Sequence, residues 1–290
     1  MEIRSLFPSL KAAAKLSLNH LDAWGTALIV SALALLIHDA FSPRTLLLLL
    51  ALTTGYWLAF MLNDYFDAPF DAVDRSKAQR NFFVQHALGK GRALLVALFV
   101  TVLIGAAFLQ FGLRGLLSLA VGLFVMWGYS APPLRFKSRP GVDLLIHAVF
   151  VETFPYLVVI ILIDATWQPL DYVILAILFL SSTAAQLEQQ LRDFEVDSRT
   201  GRTFATTFGR RPTRWLLRLV TALLILVFVT NVINGTIPAY IAVFGLITLP
   251  IMLSRLLRRR GSRQSEKLVM ALAATALLYM GALLLYALFS

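Results

Sequence analysis

Nine stretches of mostly apolar residues dominate the sequence, at 23–40, 44–63, 91–110, 114–131, 142–163, 171–190, 213–233, 236–257 and 268–289. A helix needs about 20 such residues to cross roughly 30 Å of hydrocarbon, so each stretch is a candidate membrane span. The weakest is 114–131, which Pro132 and Pro133 close, since proline ends a helix at about the preceding residue. The intervals between the stretches are too short to fold alone. The expected fold is all-α, an integral membrane bundle of nine transmembrane helices forming one domain over 23–290. Composition agrees, with 59% apolar and 14% charged residues, where soluble domains carry about 45–50% and about 25%. Cysteine is absent, which excludes disulfides, thiolate metal sites, Cys nucleophiles and lipidated cysteines.

Loop charge gives the orientation. Of 26 Lys and Arg residues, 24 fall on one side of this arrangement, and only Arg44 and Arg114 fall on the other. The positive-inside rule then places the N-terminus in the cytoplasm. A missed or spurious span in mid-chain would invert every later loop, so the asymmetry also supports the count of nine. Topology thus accounts for most of the net charge of +10, and nucleic acid is not an expected partner. Residues 1–22 mix Lys11 and Lys15 with Leu and Ala at helical spacing, which fits an amphipathic segment lying on the inner membrane surface.

Eight of the 16 acidic residues sit in two short windows. The first, Asn63-Asp64-Tyr65-Phe66-Asp67-Ala68-Pro69-Phe70-Asp71-Ala72-Val73-Asp74, follows the second span; the second, from Glu188 through Arg192, Asp193 and Glu195 to Asp197, follows the sixth. Asp64, Asp67, Asp71 and Asp74 share one face of a continuing helix, as do Asp193 and Asp197. Pro69 is expected to kink or end the first helix after about one turn. Like charges at this spacing repel, so a cation should compensate them. Hard oxygen ligands without Cys point to Mg²⁺, which typically binds through carboxylates together with substrate phosphates. Two facing clusters suit a diphosphate clamped by Mg²⁺. Arg75, Lys77 and Arg80 follow the first window, Arg192 lies in the second, and Tyr129 to Arg139 brings Arg135 and Lys137 to the same membrane side. Arg135 and Lys137 serve either anion binding or topology.

These segments resemble the UbiA family of intramembrane prenyltransferases. Asn63 to Asp71 matches that family's NDxxDxxxD motif, Asp193 to Asp197 its DxxxD motif, and YSAPPLRFK from Tyr129 to Lys137 a segment some members carry between them. The resemblance implies an allylic polyprenyl diphosphate as donor, a lipophilic acceptor and Mg²⁺ as cofactor, with the active site facing the cytoplasm. It implies metal and diphosphate binding by Asn63, Asp64, Asp67, Asp71, Asp193 and Asp197. Lys137 and Arg135 would neutralise the departing diphosphate, with Tyr129 lining the same cavity and Arg75, Arg80 and Arg192 near the substrate. Some members carry Arg-Pro where this chain has Arg80-Asn81, and others a compact YxxxK where it has YSAPPLRFK, which leaves the subfamily and the acceptor open.

Glu152 lies about ten residues inside the fifth span, a depth at which an ionisable side chain contacts the acceptor or enters an internal hydrogen bond. Asp143 is expected to start that helix, and His147 to be packed rather than basic. Ser181, Ser182, Thr183 and Gln186 are expected to bond between helices. The principal alternative is a transporter that coordinates cations or phosphate through the two acidic clusters, although such proteins place ionisable groups near the midplane.

Overall fold

Each long helix follows an apolar run, and two outlast theirs. The structure, a computed structural model, describes residues 18, 20–73, 75–79, 81–85, 90–258 and 265–289, and these contain no strand. The long apolar helices are α1 (Leu21–Ile37), α2 (Pro43–Asp71), α5 (Lys90–Leu109), α6 (Gly112–Ser130) and a segment in which α7 (Val142–His147) passes through a π turn (Ala148–Thr153) into α8 (Phe154–Leu162). They continue with α9 (Pro169–Thr200), α11 (Arg210–Ile233), α12 (Ala239–Leu257) and α13 (Glu266–Phe289), while α3 (Arg75–Ala78), α4 (Phe82–Gln85) and α10 (Phe204–Phe208) are short connectors. Eight of these are long and apolar enough to cross a membrane, and α1, with 17 residues, is a shorter apolar helix. The surface segment expected over residues 1–22 falls mostly outside the described residues.

Both acidic windows are helical extensions of spans. Helix α2 runs through Pro69 and ends two residues later at Asp71, as a proline near that point leads one to expect. The proline sits in the last turn, where its missing N–H removes a single backbone bond. Ser42 caps the other end of α2 by accepting from the Thr45 N–H, with a Pro at the first helical position. Helix α9 likewise carries the second window to Thr200.

Consecutive spans pack as neighbours, and α13 returns to pack on α1, which closes the ring. Toward the far end Leu35, Leu48, Val159 and Ile160 are fully or almost fully buried. Asp171, with no exposed surface, joins three helices at that end. It accepts from Tyr156 Oη at 2.6 Å and from the Gln168 N–H at 2.6 Å, and it pairs with His38 Nε2 at 3.0 Å. Outward residues of α5 such as Leu94, Leu95, Leu98 and Phe99 are exposed apolar groups, as a lipid-facing helix requires.

Helix α6 ends against the loop that follows it. A Cβ on Gly128 would stand 2.7 Å from Phe136 Cε2 and 3.1 Å from Leu134 Cδ1, so this glycine allows residues 134–138 to lie on the helix. Replacing Gly128 by Leu is expected to cost about 1–3 kcal/mol through overpacking, read as a lower thermal midpoint of the purified protein, with Gly128→Ala falling less.

Candidate active site

One face of α2 changes character along its length. Residues at every fourth position, Ala51, Gly55, Ala59, Asn63, Asp67 and Asp71, line a single cavity that is apolar at depth and acidic at its mouth. The cavity has a volume of about 320 Å³, within the usual range for small-molecule sites. The facing wall is α9, which contributes Gln186, Gln189, Gln190, Asp193 and Asp197. The two acidic windows therefore meet across one opening.

Cations interleave with these acids. Lys137 Nζ donates to Asp67 Oδ1 at 2.5 Å and to Asn63 Oδ1 at 2.9 Å, and Ser130 Oγ donates to the same Asn63 oxygen at 2.8 Å. Arg135 stands 3.6 Å from Asp67 and stacks 4.3 Å above the centre of the Phe70 ring. Its left-handed backbone, at φ 37°, turns the chain so that both cations reach Asp67. Lys77 bridges to the other wall, donating to Asp197 Oδ1 at 3.1 Å. Burial pulls the Lys137 pKa down, and this outweighs the opposing pull of Asp67, so it lies below the ordinary lysine value. Burial also acts on Lys77, but the carboxylates of Asp197 and Asp193 outweigh it and raise its pKa. Deeper in, Tyr129 lines the cavity with Gln186 Nε2 3.5 Å from its hydroxyl, and Tyr56 donates to the Phe150 carbonyl within the π turn.

Several expected residues stand elsewhere. Asp64 faces away from the cavity and is buried against His20, 3.0 Å from its Nε2, because one step of three from Asp67 rotates it off the lining stripe. Arg75 is exposed on α3 outside the cavity. Arg192 also lies off the lining, with its Nε 3.3 Å from Asp193 Oδ1. Glu152 is turned by the π segment toward Ser181 and Arg255, whereas Phe150, Val151 and Phe154 face the cavity. Asp74 and Arg80 lie outside the described residues. His147 lines the cavity with its Nδ1 held 3.0 Å from Ser182 Oγ, a packed arrangement.

Two supporting polar groups escaped the reading of the sequence. Asn81, 2% exposed, donates through Nδ2 to Asp71 Oδ2 at 2.9 Å and to the Asp64 carbonyl at 2.7 Å. Its Oδ1 accepts the Phe83 N–H at 2.9 Å at the start of α4, and an Asn before an apolar run was the available signal. Asp143 does more than begin a helix. It accepts from the Gly141 N–H at 2.7 Å, Gln190 Nε2 at 2.6 Å and the Phe204 N–H at 3.0 Å, while Gln190 accepts the Ala205 N–H at 2.9 Å. This hub fixes α9 just before Asp193.

The donor set suits Mg²⁺ as a shared rather than caged ion. Asn63, Asp67, Asp71, Asp193 and Asp197 offer only hard oxygens, yet among the described residues no three acidic or imidazole groups come close enough to hold an ion by themselves. A cation here needs further oxygens, which water and a phosphate-bearing substrate supply. Asp143→Ala, which strands three buried donors, is expected to destabilise the protein by about 3 kcal/mol or more, measured by thermal unfolding, with Asp143→Asn losing less.

Known proteins share this fold. A UbiA homolog from Archaeoglobus fulgidus bound to GPP and Mg²⁺ superposes with a TM-score of 0.73 at 18% identity, covering 93% of this chain and 98% of that one. The same homolog bound to DMAPP and Mg²⁺ gives 0.72 at 18% identity over 93% and 98% of the two chains. The apo structure of a UbiA homolog from Aeropyrum pernix K1 gives 0.68 at 13% identity over 92% and 98%. No curated protein matches the sequence. Residues 23–277 match the profile of the UbiA prenyltransferase family, and with most of its length matched the chain belongs to that family.

Proposed function

We propose that the protein transfers a prenyl group from an allylic polyprenyl diphosphate to a lipophilic acceptor within the membrane, with Mg²⁺ required and diphosphate released. The observation that carries this reading is the single cavity with acidic walls at its mouth, contributed by α2 and α9, and an apolar depth. A diphosphate fits the polar mouth and a prenyl chain fits the depth. The homologs bound to GPP or DMAPP with Mg²⁺ support the donor class.

Asn63, Asp67, Asp71, Asp193 and Asp197 would hold Mg²⁺, which when bound supplies Lewis-acid neutralisation of the diphosphate. Lys137, Arg135 and Lys77 donate to phosphate oxygens as the allylic C–O bond breaks and the leaving group takes the electron pair. Charge on that leaving group grows toward the transition state, so these donors stabilise it more than the ground state. Phe108, Phe150, Phe154 and Tyr56 line the inner cavity, exclude water from the allylic cation and offer it ring faces. The acceptor's nucleophilic atom then bonds to the allylic carbon, and the proton the acceptor gives up leaves with the diphosphate. Tyr129 and Gln186 border the junction between the two parts.

On this reading α1 is the ninth span, the N-terminus lies in the cytoplasm, the cavity mouth opens to that side, and residues 23–290 act as one domain. Loop charge supports the orientation. The buried Leu35, Leu48, Val159 and Ile160 fill the bundle at the far end and weigh against the transport alternative. The test supplies purified protein in lipid with a panel of labelled allylic diphosphates and mixed lipid and aromatic acceptors, followed by mass spectrometry. A prenylated product should form only with divalent metal, and Asp67→Asn or Asp197→Asn should each lower its rate by about 10²-fold or more. Donor moved across the membrane without product would favour transport instead.

A further inference from the structure

The face of α9 opposite the cavity carries a second charged cluster. Gln186, Gln190, Asp193 and Asp197 follow the cavity side, whereas Glu188 points toward α11 and α12, where it is 7% exposed. Its Oε1 pairs with Arg258 Nη2 at 2.5 Å. Arg218 of α11 donates through Nη2 to the Arg258 carbonyl at 3.4 Å. Arg255, in the last turn of α12, faces both Glu188 and Glu152. Arg258 is thus linked to Glu188 and to Arg218, and Arg255 interacts with Glu188 and Glu152, which sets three guanidinium groups against two carboxyl groups.

Their hydrogen bonding is incomplete. Among the described residues, Arg218 Nε, Arg255 Nε and Arg258 Nη1 are buried without an acceptor. A buried N–H on a charged group is costly to leave unpaired. Glu188 Oε2 is also without a partner, so carboxylate oxygen is present but not placed to serve these donors. A tetrahedral oxyanion among the arginines would accept from several of them at once, since guanidinium forks match phosphate oxygens. The cluster lies where α12 ends, and Leu253 and Leu257 of α12 and Leu219 of α11 are exposed apolar groups in the same region. That combination of buried cations and an apolar flank fits a phosphate joined to acyl chains.

We propose that Arg218, Arg255 and Arg258 form an anion site, separate from the cavity, that binds the phosphate of an anionic phospholipid in the leaflet on the side of the acidic motifs. Glu188 holds Arg258 in place, and Glu152 with Ser181 keeps the inner edge polar. This goes beyond the prenyl-transfer reading and does not depend on it, because no residue of the cluster lines the cavity.

The test is native mass spectrometry of the full chain released from nanodiscs of phosphatidylcholine and phosphatidylglycerol. Wild-type protein should retain phosphatidylglycerol, and an Arg218→Gln/Arg255→Gln variant should retain about tenfold less, the factor that one lost charge-assisted hydrogen bond represents. Arg255→Lys, which keeps the charge but loses the fork, should fall between them and serves if the double variant does not fold. Arg211→Gln, on an exposed part of α11, should retain the lipid fully. Equal loss in Arg211→Gln, or unchanged retention in the double variant and Arg255→Lys, would overturn the site. Displacement of the lipid by millimolar inorganic phosphate would overturn its assignment to a lipid and leave a soluble phosphate as the ligand.

Discussion

Four carboxylates at the mouth of one cavity create the repulsion that the surrounding structure is arranged to contain. Asp67, Asp71, Asp193 and Asp197 come from two walls that nothing in the local sequence brings together. Lys137 engages the first wall through Asp67 and Asn63, and Lys77 extends from the short helix α3 after the first wall to Asp197 on the second. In water each pair would be worth little; in a half-buried mouth with fewer competing waters the same contacts hold the walls in register. Behind them Asn81 ties Asp71 to the start of α4, and Asp143 with Gln190 ties α9 to α10.

The same ammonium groups fit the proposed chemistry. They balance the carboxylates in the free protein, and on the proposed reading they turn to the diphosphate once Mg²⁺ takes up the acidic oxygens. The apolar depth and the packed far half of the bundle keep water from the reactive carbon. On the same reading, acidic motif, basic loop and apolar wall each serve a different part of one substrate.

Much of this was legible in the sequence because helical spacing is geometric. Spans of about 20 residues and the steps linking Asn63, Asp67 and Asp71 place one stripe on one face of α2, and the structure keeps that stripe through Pro69. The same spacing misassigned Asp64: it belongs to the motif, but its rotation off the stripe became visible only with His20 beside it. For Glu152 the sequence left acceptor contact and an internal hydrogen bond open, and the structure turns it to Ser181. The π turn at Ala148–Thr153 shifts the facing of its residues, and no residue pattern announced that turn. Lys77 was seen as one basic residue among several, since pairing with Asp197, 120 positions away, is a property of the fold.

The central claim is that neither acidic wall binds metal tightly alone and that a diphosphate completes the site. Electron paramagnetic resonance of Mn²⁺, used in place of Mg²⁺, measures this directly in lipid-embedded protein with and without geranyl diphosphate. The expected result is weak Mn²⁺ binding alone, markedly tighter binding with the diphosphate, and loss of that gain in both Asp67→Asn and Asp197→Asn. Tight Mn²⁺ binding without diphosphate, or a gain that survives Asp197→Asn, would contradict a site shared between the two walls and the substrate.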